Sequence, residues 1–293
     1  MTYRRNDTLV STIRSLLQQT VPPQKILIVD NDPERGAQHV LETVQSPAVC
    51  YQAVGYNSGP AGAAKTGLEM LAAEGFDWIG WIDDDDPPVF ENTFEILLNL
   101  GEEHPNCGCV GVVGQRYVMN KGLIDRIADQ ELDEIGSIEV DNIAGNMSKL
   151  VSGKAVREKN VLPDTELFFG FEELDFDLRL QKAGYVLLAD RAFYKKHRAY
   201  YKRSGLHIQR GKQKPLNKLW REYYSTRNSL YIMHKHHCLS GKLRIILRSL
   251  VKSIAGFRYG VTYGAKHAKM VLLGMMHYFT GKKGQVALPS ITP

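Results

Sequence analysis

With 293 residues, 43% hydrophobic and 24% charged, the chain is sized for one large globular domain or a domain with an appendage. No apolar run reaches the ~18–20 residues that span a bilayer, and the opening MTYRRNDTLV has no signal-peptide core. Cys50, Cys107, Cys109 and Cys238 make neither a CxxC pair nor a zinc spacing, which argues against a zinc module or a disulfide scaffold and for reduced thiols on the cytoplasmic side.

The net charge of +5 hides a division: residues 195–293 hold 21 Lys or Arg and one acid, Glu222, a formal +20 against −15 for the first 194 residues. Such asymmetry points to an anionic partner that meets only the C-terminal part, an anionic membrane surface or nucleic acid. The acidic first part argues against a broad nucleic-acid footprint, so no nucleic-acid partner is expected.

In chain order, helical spacing over 7–19, with Asp7 as N-cap, precedes a strand over Ile26–Val29 that ends at Asp30. A helix over 34–45 and a strand over Val49–Val54 follow, then a helix over 62–74, a strand over Asp77–Ile82, a helix over 91–100 and a strand over Val110–Val113. This alternation predicts a largely parallel α/β sheet. Ligands of such sheets sit beyond the carboxyl ends of the strands, where Asp30, the Gly55–Gly62 loop and Asp83–Asp86 all fall.

Four adjacent carboxylates, Asp83 to Asp86, repel one another and raise each other's pKa, so the cluster is costly unless a cation joins it. Mg²⁺ or Mn²⁺, with hard oxygen ligands and substrate phosphates, suits it; a solvated turn before Pro87 and Pro88 is the plain alternative. The GYNSGPAG loop (55–62) leads into a helix from about Ala63, whose N-terminal N–H groups suit a phosphate. A Walker A reading of Gly59–Thr66 lacks the glycine before Lys65, where Ala64 stands, which disfavours a P-loop-like NTPase; a structural turn is the other alternative.

Downstream, Phe171, Leu174 and Leu178 predict a helix to about Ala183 with Gly184 as its stop, which puts Glu172 and Glu173 in the first turn. A carboxylate kept ionised there suits general-base work, while dipole complementation with an Asp175–Arg179 pair is the structural alternative. Residues 242–255 put Arg244, Arg248 and Lys252 on one helical face and Leu243, Ile246, Leu247, Leu250 and Ile254 opposite, a basic amphipathic helix suited to an anionic membrane. The alternative is a helix packed through its apolar face with its cations solvated. His197 stands among basic residues, and His234, His236 and His237 lack metal-ligand pairing.

In this order the motifs resemble the inverting glycosyltransferases of family 2, over roughly residues 2–230. The resemblance implies a GT-A nucleotide-diphospho-sugar transferase fold, a Rossmann-like mixed sheet flanked by helices, over 1–205; the charge and amphipathic pattern of 206–293 predict a basic helical, membrane-associating extension. Thr2, Tyr3 and Arg5 lie in a segment similar to the end of the family's first strand. Asp30 matches its V-D-N aspartate, and Asn57, Gly59 and Gly62 its N-x-G-x-A-G loop. All of these, with Asp83 and Asp84, are implied in binding a nucleotide-sugar, UDP- or dTDP-linked. Asp85, Asp83 and His197 are implied as ligands of Mg²⁺ or Mn²⁺. Glu173, with Glu172 as the alternative, is implied as catalytic base, and region 142–153 as part of the acceptor site. Tyr223–Asn228 (YYSTRN) is similar to the Y-Y-x-x-R-N segment of polysaccharide-building members. The implied activity is transfer of a sugar to a glycan or lipid-linked acceptor in cell-surface polysaccharide biosynthesis, on the inner face of the membrane. The rival reading is a peripheral adaptor with a degenerate donor pocket. Two departures stand out: no apolar strand precedes Thr2, so a short sheet or an upstream start is expected, and the base position holds Glu rather than Asp.

Overall fold

The computed structural model describes residues 1–144, 148–205 and 213–286. They fall into two compact units: within Met1–Arg116, Arg126–Thr165 and 173–205 for the first, and within Tyr117–Asp125, Glu166–Glu172 and 213–286 for the second.

In the first unit, helix α1 (Asn6–Leu17) packs Leu9, Ile13 and Leu16 into the core. Its N-cap is Arg5, without a side-chain cap; Asp7 lies inside the first turn rather than capping it. Strand β1 (Ile26–Asp30) pairs in parallel with β2 (Val49–Ala53). The helix expected between them shrinks to α2 (Val40–Val44), because the segment after Asp30 turns to place its backbone around that carboxylate.

Helix α3 (Gly59–Ala73) starts earlier than its apolar spacing predicts, with Pro60 in its first turn. Strand β3 (Trp78–Trp81), helix α4 (Thr93–Glu102) and strand β4 (Cys107–Val110) follow. The last of these was expected over Val110–Val113, but all four residues of CGCV are buried and only Val110 is shared. Gly108 lies under the Tyr185 side chain, where a Cβ would collide, so a residue of low strand propensity is required inside the strand.

Strands β5 (Gly114–Val118), β6 (Leu123–Arg126), β7 (Ser137–Glu139), β8 (Asn142–Ile143) and β9 (Lys149–Ser152) complete the middle of the chain. Helices α5 (Gly153–Lys159) and α6 (Glu172–Lys182) precede strand β10 (Val186–Asp190) and helix α7 (Arg191–Tyr200). The main sheet runs β3-β9-β4-β10-β7. It is mixed rather than largely parallel: β9 returns antiparallel between β3 and β4, and β7 is antiparallel to β10. Helices on both sides of this sheet make the α/β architecture expected of a GT-A fold.

The sheet is interrupted beside β1. Its edge and that of β3 both line a cavity of about 400 Å³ with Leu9, Ile13 and Leu68. At its end, Thr2 makes an isolated parallel bridge to Asp30, and the Met1 amino group donates to Ile82 O at 3.0 Å.

Under the sheet lies a fully buried ion pair. Lys149 Nζ donates to Asp177 Oδ1 at 2.5 Å and to Ile143 O at 3.0 Å, between the rings of Trp81 and Phe176. Asp177 Oδ2 accepts the Ile143 N–H at 2.7 Å, so α6 is fixed to β8 and β9 through one carboxylate.

In the second unit, helices α8 (Trp220–Lys235), α9 (Leu239–Ala255) and α10 (Val261–Phe279) pack on one another around Tyr223, Tyr224, Tyr263 and Met270. Helix α9 buries Gly241, Ile245, Ser249 and Ser253, and leaves Leu243, Leu247, Leu250, Val251 and Ile254 exposed. Apart from Ile245, its packing face is therefore made of small residues, and its apolar row faces outward. Arg248 donates to the Lys121 and Gly122 carbonyls, and Lys252 pairs with the buried Glu222, which Lys214 also holds at 2.6 Å. Burial alone would raise the Glu222 carboxyl, but the two lysines keep it below its ordinary value. No helix among the described residues is long and apolar enough to cross a membrane.

Removing one partner of a buried pair leaves an uncompensated charge, so Lys149→Met should lower the unfolding free energy by about 3–5 kcal/mol in urea titrations. Lys149→Met combined with Asp177→Leu should recover part of that loss; a double variant no better than the single would mean that the charge is not the cause.

Candidate active site

Three loops meet at the carboxyl end of β1 and β3. Asp30 is fully buried: one oxygen accepts the Asp32 N–H at 2.8 Å, the other the Ala37 N–H and the Tyr51 hydroxyl, both at 3.0 Å. Burial and this bond to Asp30 push the Tyr51 phenol up to about 12, so it stays a donor. Beside it, Asn31 joins the glycine loop to the strand end: its amide donates to Gly59 O at 3.1 Å, and its oxygen accepts from the Ser58 hydroxyl at 2.6 Å. Asn57 accepts the Gly59 N–H at 3.0 Å, Gly59 takes a left-handed φ of +72°, and a Cβ on Gly62 would strike Ser58. Asn57, Gly59 and Gly62 are thus each needed for this turn as it enters α3.

Thr2 connects this corner to the acidic turn. Its N–H donates to Val29 O and its hydroxyl to Asp84 Oδ2, at 3.0 and 2.7 Å. Asp84 is buried and also accepts from Arg5 at 3.2 Å, while its carbonyl accepts the Thr12 hydroxyl at 2.9 Å. Asp85 is exposed and pairs with the same guanidinium. Tyr3 is 42% exposed, with the Arg4 guanidinium over its ring.

Asp83 is half-buried; burial raises its carboxyl, Asp84 and Asp85 add to this, and the Met1 ammonium opposes it. Asp86 rises to about 6, through burial and then the charges of Asp83 and Asp85. The turn thus contains one carboxylate spent on structure, Asp84, one open to solvent, Asp85, and two that resist ionisation. Added positive charge would relieve that resistance.

Glu172 and Glu173 open α6 as expected, at its positive end. Glu172 is buried and Glu173 half-buried, which leaves Glu173 the more accessible of the two. The buried Lys149 lies within electrostatic reach of Glu173. Burial would lower the ammonium, but Asp177, Cys109 and Glu173 hold it above its ordinary value. Asp175 pairs with Arg179 at 2.8 Å, so that pair coexists with the accessible edge of Glu173.

His197 is buried on α7, its ring 4.8 Å from that of Tyr201. Burial, then the Arg203 charge, lower it to about 4, so the imidazole is neutral at pH 7. Among the described residues no three His, Cys, Asp or Glu side chains converge as a metal site, so Asp83, Asp85 and His197 are not assembled into one. Region 142–153 falls partly outside the described residues; its described part is β8, β9 and the start of α5.

The family model described as "Glycosyl transferase family 2" matches residues 1–162, which covers Asp30, the glycine loop and the acidic turn. The chain belongs to that family. Among its relatives is galactofuranosyltransferase GlfT1 of Mycolicibacterium smegmatis, 26% identical over 195 residues, with 63% of this chain and 64% of that protein covered. The Mycobacterium tuberculosis GlfT1 is 29% identical over 198 residues, with the same coverage. The match thus spans under two thirds of the length of these relatives. A solved structure titled GalNAc-T7 with UDP, GalNAc and Mn²⁺ has a TM-score of 0.51 at 15% identity, over 63% of this chain and 40% of that one, a likeness of fold.

Sequence reasoning singled out Asp30 but passed over Asn31, the next residue of the same triplet, and Thr12, whose hydroxyl faces Asp84 from α1. Neither carries a charge or a spacing that distinguishes it from an ordinary helix or turn residue.

A histidine lowered in the fold takes up its proton more readily when unfolded, so its contribution to stability is lost as pH falls from about 6.5 towards 4. Asp86, raised to about 6, acts in the opposite sense over about 4–6. His197→Gln isolates the first effect: between pH 7 and pH 5 the wild type should lose about 2 kcal/mol more than the variant in chemical denaturation. Equal losses would show that His197 is not held neutral.

Proposed function

We propose that this chain is an inverting, metal-dependent glycosyltransferase that moves a sugar from a nucleotide-sugar to a hydroxyl of a glycan or lipid-linked acceptor. The observation that carries the reading is the acidic turn tied to Asp30 through Thr2, within the segment matched by the family model. The half-buried, mutually repelling carboxylates fit a hard divalent ion, and Arg5 already places a cation on Asp84 and Asp85. Asp85 and Asp83, with His197, would hold Mg²⁺ or Mn²⁺. When bound, the ion would neutralise charge on the departing nucleoside diphosphate.

Asp30, the glycine loop and Tyr3 would then receive the nucleoside and diphosphate, with N–H groups at the start of α3 facing the phosphates. Glu173 would take the proton of the acceptor hydroxyl as that oxygen bonds to the anomeric carbon from the face opposite the leaving diphosphate. The bond to the diphosphate breaks as the new glycosidic bond forms, and inversion follows. Its position at the helix N-terminus, near Lys149, favours the ionised carboxylate that this step requires. Galactofuranosyl transfer, the activity in the relatives' names, is the first donor class to assay.

The acceptor end of the reading, a lipid-linked glycan in surface polysaccharide synthesis at the inner face of the membrane, draws support from α9. Its exposed row of Leu243, Leu247, Leu250, Val251 and Ile254 lies in a segment of formal charge +20. An outward apolar row flanked by cations suits an anionic bilayer surface.

With a UDP- or dTDP-sugar and Mn²⁺, Asp85→Ala should weaken metal-dependent donor binding at least tenfold by calorimetry. Glu173→Gln should bind donor as the wild type does yet lose at least 100-fold in transfer. A wild type that binds neither nucleotide nor metal would favour the adaptor, and one that hydrolyses ATP without acceptor would favour the NTPase. For the membrane, Leu247→Glu combined with Ile254→Glu should abolish flotation with phosphatidylglycerol vesicles while far-UV circular dichroism is unchanged; undiminished flotation would remove α9 from the contact.

A further inference from the structure

The segment that leads into the glutamate pair is held in an unusual backbone conformation. Phe168, Gly170 and Phe171 all have left-handed φ angles, +59°, +77° and +70°. Glycine adopts this readily, but a phenylalanine does so only at a cost in backbone strain and persists there where surroundings over-determine it. Glu172 and Glu173 follow at once, so the direction in which α6 starts is set by this turn.

The surroundings that do so are Asn228 and Arg227, both fully buried on α8. One carboxamide nitrogen of Asn228 donates to three carbonyls of the turn, those of Leu167, Phe169 and Gly170, at 2.8, 3.0 and 2.9 Å. Arg227 orients that carboxamide, its Nε donating to Asn228 Oδ1 at 3.0 Å. Its remaining nitrogens donate to Leu167 O at 3.1 Å, Gly284 O at 2.9 Å and the Tyr223 hydroxyl at 3.2 Å. The Tyr223 hydroxyl lies 2.8 Å from His277 Nδ1 on α10. From the other side Phe168 packs on Tyr224, and Phe169 on Trp220. The carbonyls of a tight turn normally face water; here three of them converge on one side chain, which ties the turn to a single arrangement.

We infer that Asn228, oriented by Arg227, is a positioning residue that holds the strained turn 167–171 and thereby fixes the backbone at which Glu172, and directly after it Glu173, opens α6. The YYSTRN segment thus serves to grip the backbone ahead of the base. The inference rests on the proposed role of Glu173 for its catalytic consequence, but the grip itself does not. Displacement of a base by about 1 Å is enough to cost about 100-fold in rate without affecting groups elsewhere.

The test is Asn228→Ala, with Arg227→Lys as the milder second variant, which keeps a buried cation but loses the forked geometry. Two readouts are taken on the full chain. Amide hydrogen exchange should accelerate at least tenfold in a peptide spanning 166–173, and remain as in the wild type in peptides spanning 26–30 and 107–110. With donor and acceptor, kcat should fall about 100-fold for Asn228→Ala while the calorimetric affinity for the UDP- or dTDP-sugar changes less than twofold. Arg227→Lys should show the same pattern at smaller amplitude. Unchanged exchange at 166–173 overturns the grip, and uniform acceleration across all peptides reduces it to general stability; either result defeats the inference. Accelerated exchange with undiminished kcat defeats the positioning role. If the wild type transfers no sugar at all, the proposed function fails, and the exchange measurement still decides the grip.

Discussion

A strand can end in four aspartates only if their charges are dealt with one by one, and most of the candidate site is arranged by how this is done. The Asp84 carboxylate is turned inward onto Thr2 and Arg5, while its main-chain carbonyl accepts the Thr12 hydroxyl. That inward turn spaces its neighbours, leaving Asp85 outside and Asp83 half-covered. The same Thr2 pairs with Asp30, so the Asp30 corner and the acidic corner share an anchor at the start of the described chain. Were Asp84 to face outward with the others, four like charges would crowd one surface and the link between the corners would be lost.

The second constraint lies deeper. Lys149 and Asp177 are buried together beneath the sheet, and the pair fixes α6 against β8 and β9. Glu173 lies one helical turn ahead of Asp177 on the same face of α6. The cation that compensates Asp177 also lies within electrostatic reach of Glu173, so the lysine that packs the helix shares its field with the carboxylate at the helix tip. The start of the helix is set from the other direction, by the turn gripped by Asn228.

Much of this was legible in the residues, where local pattern and tertiary demand coincide. The strands ILIV and WIGW and the helix from Glu172 with its stop at Gly184 follow from apolar periodicity and from a residue that tolerates positive φ. Strand β4 was displaced because Cys107 and Gly108 have weak strand propensity, and only burial among neighbouring strands makes them one. The long helix expected after Asp30 failed for a related reason: the carboxylate takes the Asp32 and Ala37 N–H groups and draws the segment around itself. Polar residues that act by contact, such as Asn31, Thr12, Lys149 and Asn228, give no periodic signal. The sequence could place YYSTRN beside a family pattern, but its grip on a turn some sixty residues earlier depends on tertiary structure. On α9 the two faces were separated correctly, while the direction each faces was not legible, because Gly241, Ser249 and Ser253 reveal their packing role only once α8 and α10 lie against them.

The interruption of the sheet beside β1 has a mechanical consequence. Elsewhere the strands are tied by ladders of main-chain bonds, but across this seam the strand edges meet only through the Thr2 bridge and the Met1 amino group, and the rest of the tie is made by α1, whose Thr12, Ser15 and Gln19 side chains donate to the carbonyls of Asp84, Pro88 and Phe90. Resistance to opening along this line therefore rests on side-chain bonds rather than on a strand ladder. The line runs beneath the two corners joined by Thr2. A molecule spanning Asp30 and the acidic turn would act as a splint across that line, stiffening the half of the sheet that carries α1 against the half that carries α6.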